Sequence, residues 1–175
     1  DLEREELDSQ FSVLEQNLKQ RAAFQNIAAE THQAQALILP ADRDPADIVL
    51  RRTAALLADL KTSGTVATLV AFDAPLAALQ SDGTSTPVAH ALDRRALFDA
   101  ACKLRRQIAF SNPLLNFDRL LFVKRHRAIY DHMCDQFYGI TARPGGGLHI
   151  LQNPFGLRPQ VRDVLAQSVV ENGRL

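Results

Sequence analysis

The chain has 175 residues, 46% of them hydrophobic and 23% charged, the composition of an ordinary globular protein with room for one domain and a piece of another. A chain of this length buries roughly 70% of its unfolded surface, so it needs neither disulfides nor a structural metal to form a core. Lysine plus arginine and aspartate plus glutamate stand at 20 each, a formal net charge of zero, which excludes a global electrostatic case for nucleic acid or an anionic membrane as partner.

Residues 3–38 predict one long helix, broken near the middle. Phe11, Leu14, Leu18, Ala22 and Phe24 recur at helical spacing, and Pro40 ends the run because it has no N–H to donate. A second helix is predicted over 44–62. Asp44 is its N-cap, Pro45 takes the first helical position, and Asp47 completes a capping-box-like pattern three residues on. Gly64 follows as a C-terminal stop, and Arg51 and Arg52 read as surface charges. Residues 65–80 stay open between two forms: TVATLV is β-branched and favours a strand, whereas APLAALQ favours a short helix begun at Asp73. The apolar run 66–79 is too short to span a bilayer and is interrupted by Asp73 and Pro75, so neither a membrane span nor a secretory signal is expected. Residues 81–87 predict a polar loop. A third helix runs from Val88 to Phe110, with Leu92, Ala96, Leu97, Ala100, Leu104 and Ile108 as its apolar stripe and Cys102 as a small packing residue.

The character changes at Asn112-Pro113. Arg119–Arg125 predicts a strand of alternating exposure, 127–137 a short helix or structured loop, and Pro144-Gly145-Gly146-Gly147 a tight turn. A second strand is expected over Leu148–Gln152, broken by Asn153-Pro154, then a short amphipathic helix or turn over Val161–Ser168, and a last strand over Val169–Leu175. The fold class is therefore mainly α with a few β-strands (α+β): a helical module over 1–111, and over 112–175 the start of an incomplete β-domain. Two or three strands with open edges rarely stand alone, so the remainder of the parent chain or another subunit is expected to complete the sheet.

Candidate chemistry concentrates between Lys124 and Asp135. Charge leans acidic over the first thirty residues and basic from Arg94 to Arg127, which suits solvated helix faces with internal salt bridges, or a surface for an acidic partner. Lys124, Arg125 and Asp135 are the candidate substrate-binding residues, since arginine grips carboxylates and sulfates bidentately and lysine acts as a point charge. His126, His132 and Cys134 are the candidate catalytic residues: a thiol nucleophile needs a neighbouring imidazole or cation to lower its pKa. His132 and Cys134 are also weak metal-ligand candidates, without the paired second half that a zinc site uses. Cys102 and Cys134 make one disulfide or remain two thiols. No Cys-x-x-Cys-His occurs, so no cofactor is expected within this chain, and haem c only beyond Leu175. The glycine run lacks a phosphate-loop pattern, and no G-x-S-x-G elbow is present.

Four segments, NPLLNFDRLLFVKRH (112–126), HMCDQFYG (132–139), ARPGGGLHIL (142–151) and VRDVLAQSVVENGRL (161–175), resemble bacterial, planctomycete-type proteins related to the hydrazine synthase alpha subunit. PADRDPADIVLRRTAALLADL (40–60) looks like their helical leader. In that family a helical N-terminal region precedes a β-propeller and members are exported. The resemblance implies a helical leader followed by the first propeller strands, a periplasmic or extracellular location, and a structural or assembly role. The alternative it implies is a propeller enzyme whose Lys124–Asp135 region meets an anionic substrate, such as a polysaccharide uronate, or a redox partner. The synthase subunit itself carries c-type haems, and this sequence departs from it by lacking any haem-attachment motif.

Overall fold

The computed structural model describes residues 2–63, 66–125, 146–156 and 158–167. The chain divides into two units, Asp1–Pro113 and Leu114–Leu175. Helices make the first: α1 (Leu2–Lys19), α2 (Arg21–Asn26), α3 (Pro45–Ser63), α4 (Val66–Leu69), α5 (Asp73–Ser85) and α6 (Ala91–Phe110). Strands make the second: β1 (Arg119–Arg125), β2 (Gly146–Gln152) and β3 (Gln160–Asp163). The protein is thus mainly helical with a small antiparallel sheet.

In the helical unit, α3 and α6 form the central pair. The start of α3 is capped as its sequence predicts: the Asp44 carboxylate accepts the Asp47 N–H at 3.0 Å, and Asp47 reaches back to the Arg43 N–H at 3.1 Å. Two apolar clusters lie along the pair. One joins Ile48, Val49 and Leu50 of α3 to Leu97, Phe98 and Ala101 of α6, and α1 covers it with Phe11, whose ring meets Phe98 edge-on at 5.1 Å. The other joins Leu57, Leu69, Leu76, Leu104 and Ile108.

Several sequence expectations need correction here. The predicted helix 3–38 ends at Lys19, continues as the short α2, and gives way to 3-10 turns at Ala28–Glu30 and Ala34–Ala36. Beyond Phe24 the segment leaves Ile27 46% exposed and buries no residue until Ile38, which is 2% exposed and packs in the core. Arginines hold the returning backbone by taking its carbonyls: Arg21 donates to Pro40 and Asp42, Arg51 to Leu37 and Gln35, and Arg52 to Ala36. These carbonyls have no helical partner and would otherwise stay unpaired. Arg51 and Arg52 are therefore half-buried clamps rather than free surface charges.

Over the described residues 66–80 the open choice falls to helix, with a 3-10 turn at Val70–Phe72 between α4 and α5. Leu69 and Leu76 are buried seven positions apart, a helical face packed on α3 and α6, so tertiary burial outweighs the β-branched preference of TVATLV. Residues 81–85 continue α5 where a loop was expected. Gly83 permits this, because a Cβ there would lie 2.8 Å from Leu50 Cδ1. In α6 the buried face is Arg94, Leu97, Phe98, Ala101, Leu104 and Ile108. The expected Leu92 is 88% exposed, since the true stripe is rotated to include Phe98 and a charged residue.

The sheet has the order β1-β2-β3, antiparallel throughout. Seven pairs join β1 to β2, from Arg119 opposite Gln152 to Arg125 opposite Gly146. Gly146 has φ 113°, and a Cβ on it would lie 2.0 Å from the Lys124 carbonyl oxygen, so no other residue fits that end of the ladder. Asn153, at φ 50°, turns the chain after β2 and donates its N–H to the Asp118 carbonyl at 2.8 Å. Phe117 and Phe155 pack edge-on beside this turn at 5.0 Å. Residues 160–163 form a strand where a short helix or turn was expected, because Val161 and Arg162 find partners in Leu151 and Ile150. The expected elements at 127–137 and 169–175 lie outside the described residues.

Candidate functional site

Pairing sorts the sheet's side chains onto two faces, since successive residues of a strand point oppositely. One face carries Arg119, Leu121, Val123 and Arg125 of β1 with Leu148, Ile150 and Gln152 of β2 and Gln160 and Arg162 of β3. The other carries Leu120, Phe122 and Lys124, then Gly147, His149 and Leu151, then Val161 and Asp163. Leu121 is 60% exposed and Val123 52% on the first face, and Leu120 is 43% and Val161 61% on the second. The expected alternation of exposure along β1 is absent: only Phe122 is partly covered. A continuous apolar run, Leu-Leu-Phe-Val, is what a strand covered on both faces requires.

Lys124 and Arg125 stand exposed at the end of β1, opposite Gly147 and Gly146. No side chain crosses to them from β2. Lys124 makes no ion pair among the described residues, and Arg119, at the other end of the strand, lies 3.5 Å from the exposed carboxylate of its neighbour Asp118. His126, His132, Cys134 and Asp135 lie outside the described residues, so of the predicted set only Lys124 and Arg125 are described, and as successive residues of β1 they stand on opposite faces of the sheet.

His149 went unnoticed in the sequence. Its ring stacks on Phe122 at 5.5 Å with 29° between planes, and both ring nitrogens are shielded without a hydrogen-bond partner. Gly147 makes room for it, since a Cβ there would lie 3.2 Å from Nε2. The signal was a histidine set between Leu148 and Ile150 in an otherwise apolar strand.

Most charge in the helical unit is spent on its own architecture. Arg94, 3% exposed, donates to both carboxylate oxygens of Asp44, to Asp47 at 2.6 Å and to the Gly83 carbonyl at 2.7 Å. Arg43 shares Asp47 and Gly83. Burial pushes the Asp47 carboxyl up, but the hydrogen bonds from Arg43 and Arg94 outweigh it, and the net shift is downward. Arg43, Asp47, Arg51 and Gly83 line a concavity of about 360 Å³ together with Leu50 and Ala54, where both cations already have carboxylate and carbonyl partners. Arg52 has its pKa lowered by burial and by the neighbouring cations Arg51 and Arg105. Cys102 is a free thiol whose pKa is pushed up to about 11 by burial and by Asp99.

Among the described residues, no group of three or more His, Cys, Asp or Glu side chains converges to hold a metal ion. No described helix is long and apolar enough to cross a membrane. No known protein family matches the chain, and no curated protein or solved structure matches it. The likeness to hydrazine synthase alpha-related proteins accordingly rests on the quoted segments alone. What the described geometry offers is a small antiparallel sheet with apolar side chains exposed on both faces.

Proposed function

We propose that this chain is a structural and assembly module. Its helical unit is a self-contained folded support, and its sheet is the opening part of a larger β-structure completed by the remainder of a parent chain or by another subunit. The observation that carries this reading is β1: six of its seven residues are exposed, apolar ones on both faces, in a strand that pairs only with β2 among the described residues. Two apolar faces left in water forfeit roughly 25 cal/mol for each Å² that a covering layer would remove. A sheet made this way is suited to being an inner piece.

The resemblance to exported proteins with a helical leader and a β-propeller agrees with that arrangement, and the finer reading is that β1–β3 begin the first propeller blade, in the periplasm or outside the cell. Amide hydrogen exchange on the 175-residue chain tests the reading. Amides of α3 and α6 should be protected close to the global limit, while alternate amides of β1, those facing away from β2, exchange as freely as loop amides. Protection across all of β1 equal to that of α3 in a monomeric chain overturns it.

A further inference from the structure

We infer that Arg52 of α3 and Arg105 of α6 form a binding site for a phosphate dianion, as the free ion or as the end of a phosphomonoester. The site lies within the helical unit and does not depend on how the sheet is completed.

The two helices advance side by side. Val49 and Ala101 share one apolar cluster, and Leu57, Leu104 and Ile108 share the next. Arg52 follows Val49 by three residues and Arg105 follows Ala101 by four, spacings that return to the same helix face. Both guanidiniums therefore issue beside the α3–α6 seam, about one turn beyond the first cluster. Burial lowers the Arg52 pKa, and Arg51 and Arg105 lower it further, so Arg105 stands within electrostatic reach of Arg52.

Neither member of the pair has a carboxylate partner among the described residues. By contrast Arg43, Arg94 and Arg95 each meet at least one carboxylate, and the Arg106 guanidinium lies over the Phe110 ring at 4.4 Å. Asp42 opposes the positive field at Arg52, but Arg51 already takes both of its oxygens. Arg52 donates to the Ala36 carbonyl, and its Nε is shielded from solvent with no acceptor. Arg105 is exposed, with neither hydrogen bond nor ion pair among the described residues. A shielded donor without an acceptor destabilises the fold, and like charges held close add to that cost. Three guanidiniums against the Asp42 carboxylate leave an excess of two positive charges, which a phosphate dianion cancels and a carboxylate only halves. Phosphate also has oxygens enough for both guanidiniums, whose planar donor forks match it.

The test titrates the 175-residue chain with inorganic phosphate, phenyl phosphate and acetate, at constant ionic strength and at a pH where phosphate is the dianion. Two signals are read: the Nε–H NMR resonance of Arg52, and the urea midpoint of the helical circular dichroism. Phosphate should move the Arg52 resonance along a saturable curve and raise the urea midpoint. Acetate should bind about tenfold more weakly, or less tightly still. Arg105→Gln, which changes an exposed side chain without described partners, should leave the helical signal intact and weaken phosphate about tenfold. Arg4→Gln removes the same charge from α1 and should leave the affinity unchanged. An Arg52 resonance that phosphate does not move, or phosphate affinity as high in Arg105→Gln as in the parent chain, overturns the inference. Equal affinity for acetate and phosphate overturns the choice of a dianion. Phenyl phosphate binding alongside phosphate makes the occupant a phosphomonoester end, and phosphate binding alone makes it the free ion.

Discussion

Arg94 is the residue on which the helical unit turns. Its guanidinium bridges the start of α3, through Asp44 and Asp47, to the end of α5, through the Gly83 carbonyl. Removing one partner of a buried, hydrogen-bonded ion network costs about 3–5 kcal/mol, because the remaining charges are left uncompensated. Arg94→Met should lose stability of that order in urea denaturation, with α3 the first helix to lose exchange protection. The same network sets an acid limit. Asp47 is held below its ordinary value of 3.8, so its contribution is present above that value and is lost as pH falls through the folded pKa. Urea midpoints should therefore drop below about pH 4, and Asp47→Asn should flatten that acid limb while lowering stability at neutral pH. Cys102 behaves in the opposite sense. Its thiol pKa rises from 9.0 to about 11, so the stabilisation it gives is complete below 9.0 and fades as pH climbs through the folded value. Peptide-resolved alkylation should show Cys102 modification rising with a midpoint near 11, and a midpoint near 9 would mean that the thiol is open to water. Neither Arg94 nor Arg51 was legible as structural in the sequence. An arginine in a helix reads as solvated, and only the carboxylates and carbonyls brought to it from elsewhere in the chain make it a clamp.

At the scale of elements, the strongest local signals gave the right answers. The cap at Asp44-Pro45 and the periodic run to Leu60 place α3 within a residue, and RLLFVKR is β1 end to end. Weaker signals failed where distant contacts decide. Residues 27–38 have helical composition, but Ile38 is wanted in the core, and three arginines hold the backbone off the helix. The segment 81–85 has turn composition, yet Gly83 lets α5 continue against Leu50. Residues 160–163 looked amphipathic in a helical sense, and the edge of β2 captured them as a strand. Gly146 was read as part of a turn and is instead the first residue of β2, where its φ of 113° brings the backbone against Lys124. Gly146→Ala should cost about 1–3 kcal/mol locally, the range for a strained left-handed residue, and should raise exchange at Lys124 and Arg125 while leaving α3 and α6 unchanged.

For the whole molecule, the two units differ in how complete they are. The helical unit assembles two buried apolar clusters and pairs the buried Arg94 with Asp44 and Asp47. The sheet leaves Leu120, Leu121, Val123 and Val161 exposed, with cations at the ends of β1, which pairs only with β2 among the described residues. Lysine and arginine on an edge discourage pairing with identical copies, so replacing them should release it: Arg119→Val with Lys124→Val should sediment faster than the parent chain at equal concentration, whereas the parent keeps its sedimentation coefficient over the same range. By itself the sequence determined the mainly helical composition, the change of character near Asn112-Pro113, the α3 cap and the two principal strands, because each depends on residues within a turn or two of one another. Only the tertiary structure decided which helix face is buried, where the first helix stops, that β3 exists, and that arginines serve as internal struts. Those outcomes depend on groups brought together from distant parts of the chain, where the free energy of burial and of satisfying polar groups exceeds any local preference.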